Sequence, residues 1–106
     1  MIVPFPDTSG WARQIRPAVV VQADGLETGL DQIVVAAITS NRSRAGKPFR
    51  LLLTVNSGAG RKAGVIADSV VMLDSLATVP TDEIERVIGT VSLDDIDAGL
   101  KTVFGL

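Results

Sequence analysis

QIVVAAITS, residues 32–40, holds the longest unbroken apolar run in the chain, from Ile33 to Ile38. Six apolar residues followed by two hydroxyls fit one buried strand, and they fall far short of the roughly 20 that a membrane-spanning helix needs. The run is rich in side chains branched at Cβ, and so is the rest of the chain. Fourteen valines and eight isoleucines stand among 106 residues, and such side chains favour a pleated surface over a helix. Apolar runs bounded by turn residues therefore predict strands at Met1 to Phe5, Ala18 to Gln22, Gln32 to Ile38, Phe49 to Val55, Ser69 to Asp74 and Arg86 to Val91. Six short strands in one domain, residues 1–106, predict a mainly β fold, a small barrel.

The breakers agree with this division. Pro4, Pro6 and Gly10 close the first strand, Asp24-Gly25 and Gly29 separate the second from the third, and Gly46 with Pro48 precedes the fourth. One segment carries a helical period: Ser92 and Asp95 form a capping-box pattern, and Leu93, Ile96, Leu100 and Val103 recur on one face. That C-terminal helix is expected to pack on the barrel, at a cost of about 1 kcal/mol for Gly99 relative to alanine.

Composition narrows the chemistry. The chain has no cysteine and no histidine, which removes thiol nucleophiles, thiolate zinc sites, the commonest metal ligand and the usual neutral-pH base. Catalysis in this chain would use carboxylates, hydroxyls, arginines and backbone amides, with no metal or cofactor expected. A net charge of −2 hides an asymmetry: residues 1–62 hold eight Lys/Arg against four Asp/Glu, and residues 63–106 hold two against eight. The first half is thus suited to a polyanion. No apolar segment follows a charged n-region, so the expected compartment is the cytoplasm.

Three stretches could carry function. In SGWARQIRPAVVV (9–21), Arg13 and Arg16 precede the second strand, and Pro17 restricts Arg16 to extended backbone, a placement suited to clamping a phosphate. Solvated loop arginines are the plain alternative, and Trp11 either stacks on a base or plugs the barrel end. In ITSNRSRAGKPFR (38–50), Thr39 and Ser40 end a strand and Arg42, Arg44, Lys47 and Arg50 follow, the hydroxyl-plus-cation pairing of single-stranded nucleic-acid sites. The alternative is a charged hairpin that keeps an edge soluble. In GAGRKAGVIADSVVMLDSLATV (58–79), Asp74 shares a strand face with Val70 and Met72 beside an expected turn, where a carboxylate either acts as a base or caps the turn. SGAGRKAG lacks the Gly-Lys-Ser/Thr ending of a phosphate-binding loop and is read as having no helix after it.

Taken in order, VPFPDTSG, RPAVVV, VVAAITS, GVIADSVVMLDSLATV, VIGTVS and a last amphipathic helix resemble the MazF/PemK (Kid) family of toxins from type II toxin-antitoxin systems, over nearly the whole chain. The resemblance implies an SH3-like barrel with a C-terminal α-helix, used as a homodimer. It further implies metal-independent, sequence-selective endoribonuclease cleavage of single-stranded RNA, restrained by a cognate antitoxin. Carried over by position, it gives Arg16, Thr39, Ser40 and Asp74 as catalytic residues, with Arg13, Trp11, Arg42, Arg44 and Lys47 on the RNA.

The chain departs from the family pattern in three places. Its start lies almost at the VPFP strand, without the short lead of many members, so either a shortened first edge strand or a misassigned start is expected. Met72 stands where some relatives carry an arginine two residues before the acid, and Ala77 where others carry one. The alternative reading keeps the fold without the chemistry, as in the CcdB-like toxins that occlude a protein partner such as DNA gyrase.

Overall fold

The apolar run at 32–40 becomes the middle strand of a five-stranded antiparallel sheet. In a computed structural model of the chain, which describes residues 2–6, 15–23, 26–83 and 87–106, the strands are β1 (Ile2–Pro6), β2 (Ile15–Val20), β3 (Gln32–Thr39), β4 (Arg50–Leu53) and β5 (Ser69–Pro80). They lie in the order β1-β2-β3-β5-β4. Helices α1 (Gly58–Ala63) and α2 (Leu93–Phe104) and two 3-10 turns, Arg42–Arg44 and Thr81–Glu83, complete the described elements. The architecture is mainly antiparallel sheet with a C-terminal helix, as expected. It is barrel-like, but among the described residues the sheet is not closed, since β1 and β4 are its two edges.

β1 is short and pairs with β2 from Ile2 opposite Val19 to Pro6 opposite Ile15. Its two prolines are tolerated because an edge strand has one side that needs no donor. β3 presents apolar residues to both faces, which explains why it reads as a continuous run. On one face Ala36 and Ile38 join Val19, Leu53, Ala63, Val71, Leu73 and Ile96 in the main core. On the other, Val35 packs with Ala18 and Val79. α2 adds Ile96 to the main core, with Leu100 and Val103 beside it. Each large aliphatic side chain so buried contributes about 1.5–3 kcal/mol.

β5 runs twelve residues and does not stop at Asp74 as predicted. Its pairing with β3 jumps, with Ala36 opposite Leu76 but Ala37 opposite Met72, so three residues, 73–75, stand against a single step of β3. This bulge turns the strand, and the Leu73 N–H donates to the Phe49 carbonyl beside β4 instead (3.1 Å). The apparent turn after Asp74 is therefore a bend inside one strand.

Three other expectations are corrected. The predicted sixth strand, Arg86 to Val91, begins outside the described residues, and over 87–91 only Gly89 makes a ladder contact, an isolated bridge. That segment lies instead against the end of α1, where Thr90 N–H donates to the Lys62 carbonyl at 2.9 Å. A Cβ on Gly89 would fall 2.2 Å from the Ala63 carbonyl, so glycine is what lets the two backbones approach. SGAGRKAG, read as loop, is itself the helix α1. Ser57 Oγ accepts from Gly60 N–H at 2.9 Å, and Gly64 ends the helix in the left-handed region at φ 75°. At α2, Ser92 holds the N-cap position but makes no side-chain capping bond, so the predicted capping box is not formed. The two acidic residues of the first turn, Asp94 and Asp95, complement the helix dipole there.

Candidate active site

The stretch from Ser40 to Phe49 connects β3 to β4, which are not neighbours, because β5 lies between them. The stretch is therefore not the hairpin of the alternative reading but a crossover that passes the end of β5. It is ordered by its own side chains. Thr39 Oγ1 accepts from Asn41 N–H (3.1 Å), and Asn41 Oδ1 accepts from Ser43 N–H (3.1 Å) and Ser43 Oγ–H (2.6 Å), which starts the 3-10 turn. Asn in this role is a side chain imitating a backbone turn.

Arg50 opens β4 opposite Met72 and reaches diagonally to Asp74 in the β5 bulge. Its guanidinium binds the carboxylate bidentately, Nε to Oδ1 at 2.7 Å and Nη2 to Oδ2 at 2.5 Å, while Nη1 donates to the Arg44 carbonyl at 2.9 Å. Its Cζ also lies 5.2 Å from the centroid of the Phe49 ring. The hydrogen bonds from Arg50 hold the Asp74 carboxyl below its usual range, with a further contribution from the charge of Arg44. The same contact raises the Arg50 guanidinium. Asp74 is therefore an ionised carboxylate with a partner and not a turn cap. Sequence reasoning placed Arg50 in the predicted strand Phe49 to Val55 but gave it no role beyond that of one more cation of the 38–50 stretch. The signal for its role was its position as the first strand residue after Pro48, where a side chain is fixed by register.

The other cations divide. Arg42 pairs with Asp68 (Nη1 to Oδ2, 3.3 Å), and Asp68 Oδ1 accepts from Val55 N–H at 2.8 Å, so this pair ties the crossover to the end of β4. Arg44 and Lys47 are exposed and form no ion pair with another described residue. Ser40 is exposed and Thr39 half-buried at the end of β3. Arg16 lies on β2 opposite Phe5. Continuing the β2–β3 register two residues beyond Ala18 opposite Ala37 brings the Arg16 position level with Thr39. Arg16, Thr39 and Asp74 thus stand on three adjacent strands. Asp74 sits level with the step from Ala37 to Ala36, two to three residues or roughly 7–10 Å along the sheet from Thr39. Arg13 and Trp11 lie outside the described residues. Among the described residues no three carboxylates lie close enough to hold a metal ion.

The described residues also form an apolar groove of about 370 Å³ toward the start of β3, on the face covered by α2, lined by Val34, Leu76, Leu100 and Phe104 among others. Leu26, Leu30 and Phe104 at its rim are each more than half exposed.

Residues 1–104 match the family model described as PemK-like, MazF-like toxin of type II toxin-antitoxin system. The chain belongs to this toxin family. No curated protein sequence matches it significantly, and the structural likenesses are distant in sequence. The Mycobacterium tuberculosis toxin MazF-mt6 is 19% identical with a TM-score of 0.72, over 100% of this chain and 98% of that one. An endoribonuclease from a mycobacterial species, solved in complex with its cognate antitoxin, is 18% identical with a TM-score of 0.74, over 99% and 91%. MazF from Deinococcus radiodurans is 18% identical with a TM-score of 0.62, over 99% and 94%. At these identities the likeness establishes that the PemK/MazF-type chain shares their fold.

Proposed function

We propose that this PemK/MazF-type toxin is a metal-independent endoribonuclease that cleaves single-stranded RNA at the sheet end carrying Asp74. The observation that carries the reading is an ionised carboxylate fixed beside a cationic crossover, in a chain without histidine or cysteine. In the proposed reaction the Asp74 carboxylate takes the proton of an RNA 2′-hydroxyl as that oxygen attacks the adjacent phosphorus. Arg16 neutralises the phosphorane and supplies the proton to the departing 5′-oxygen, and Thr39 and Ser40 hold phosphate oxygens. Trp11, Arg13, Arg42, Arg44 and Lys47 bind the flanking RNA. Of these, Arg44 and Lys47 contribute field, whereas Arg42 does so while tied to Asp68.

The depressed Asp74 carboxyl is in its base form throughout the neutral range but accepts a proton with less driving force than a carboxylate tuned toward pH 7. That property suits a slow enzyme. It is also the observation favouring the second reading, a toxin of this fold that acts by occluding a protein partner.

The proposed assembly is a cytoplasmic homodimer bound by a cognate antitoxin. Support comes from the apolar groove, at whose rim Leu26, Leu30 and Phe104 are exposed together. The test of the catalytic reading is incubation with single-stranded RNA in EDTA, with the product ends identified by mass spectrometry. A cyclic phosphate end is expected, and cleavage that requires added magnesium would exclude the reaction as written.

A further inference from the structure

We propose that Arg50 is a positioning residue, which fixes the Asp74 carboxylate and the 40–48 crossover in one arrangement and does not itself hold RNA. The inference rests on the reading of Asp74 as the base. Three N–H groups of one guanidinium are committed to protein acceptors on two elements, the Asp74 carboxylate in β5 and the Arg44 carbonyl in the crossover. The Arg50 side chain is only 17% exposed, against 63% for Arg42, and it lies over Phe49. It is thus the least available of the cations between residues 42 and 50 for an incoming phosphate. The planar fork matters, because an ammonium cannot bind both carboxylate oxygens and a carbonyl in fixed directions.

The arrangement has a consequence for the bulge. Residues 73–75 have no partner across Ala36 and Ala37, so nothing in the β3 ladder fixes where Asp74 lies. Arg50, anchored opposite Met72 in the undisturbed β4–β5 ladder, supplies that constraint from the other side. Among the described residues, Arg50 and Arg44 are the charged groups that face Asp74 from the elements beside it. Because Met72 is the cross-strand neighbour of Arg50 and shares strand parity with Asp74, an arginine moved to position 72 starts from a place close to the same carboxylate.

The experiment compares wild type, Arg50→Lys, Arg50→Met and the transposed pair Arg50→Met with Met72→Arg. Each is assayed on single-stranded RNA across pH, with the Asp74 carboxyl titrated by carbon NMR and the 40–48 amides followed by hydrogen exchange. Arg50→Met is expected to lower kcat by about tenfold or more with little change in KM. It should also move the acidic limb of the rate profile and the Asp74 titration to higher pH, and speed exchange in the crossover. Arg50→Lys should recover only part of this, and the transposed pair should return the Asp74 titration toward wild type. A rise in KM with the acidic limb and the titration unmoved would make Arg50 an RNA contact and overturn the proposal. If wild type cleaves no RNA, the ribonuclease reading falls by itself. The NMR and exchange arms still decide the positioning role, which an unchanged titration and unchanged exchange would sink.

Discussion

Gly99 of α2 lies so close to Leu73 of β5 that a Cβ on the glycine would fall 2.2 Å from Leu73 Cδ1. Leu73 is fully buried in the main core, so its side chain has little room to turn away. The glycine that weakens the helix by propensity is the residue that lets the helix seat on the sheet.

Gly99→Ala should therefore destabilise the protein despite a propensity gain of about 1 kcal/mol, since overpacking costs about 1–3 kcal/mol. Gly89→Ala should cost more, because its Cβ would meet the Ala63 backbone, which cannot rotate away. Urea midpoints of the two variants against wild type check the order, and a stabilised Gly99→Ala would contradict the seating of α2.

Asp68 holds two partners of different kinds, the Val55 N–H and the Arg42 guanidinium. Asp68→Asn keeps an acceptor for the amide and loses only an exposed ion pair, so it should change stability by less than about 1 kcal/mol. Asp68→Ala also removes the acceptor of the exposed Val55 amide and should cost about 0.5–1.5 kcal/mol more. Equal effects in chemical denaturation would show that the amide contact contributes nothing.

The Asp74 carboxyl is depressed by Arg50, and the sign of the pH effect follows. Its contribution to stability is present above the unfolded carboxylate value of about 3.9 and is lost as pH falls through the lower folded value. The difference in urea midpoint between wild type and Asp74→Asn should be constant from pH 7 to pH 5 and shrink below about pH 4. A difference that shrinks near neutrality would mean that Arg50 does not hold the carboxylate ionised.

Much of the fold was legible in the sequence, and the exceptions have physical causes. β3 was readable because both of its faces are buried. β5 was cut short at Asp74 because Asp-Ser in a strand of valines imitates a turn, whereas three bulged residues let the strand continue to Pro80. α1 was missed because Gly58 and Gly60 argue against a helix, although Ser57 and Gly64 cap it at both ends. Gly60 is required there by the approach of the Thr54 carbonyl. At the candidate site, Asp74 could be named from its strand face. Its partner Arg50 is 24 residues away in sequence, and no local pattern encodes a contact made by strand order.

Arg44 is exposed, and its backbone carbonyl is the only part of it that a described hydrogen bond to Arg50 uses. Arg44→Ala should weaken RNA binding and reduce the slope of log affinity against log salt by about 0.7, the value for one phosphate of a single strand. An unchanged slope would place Arg44 off the RNA path.

Cleavage by Arg16→Ala tests the account most directly, because Arg16 is the residue assigned to the phosphorane. In EDTA, with single-stranded RNA as substrate, wild type is predicted to cleave, and Arg16→Ala should lose about 100-fold or more in kcat with KM largely kept, as about 3 kcal/mol of lost transition-state stabilisation requires. If Arg16→Ala and Arg44→Ala instead raise KM alike and leave kcat intact, Arg16 is a backbone contact, and the catalytic centre lies elsewhere.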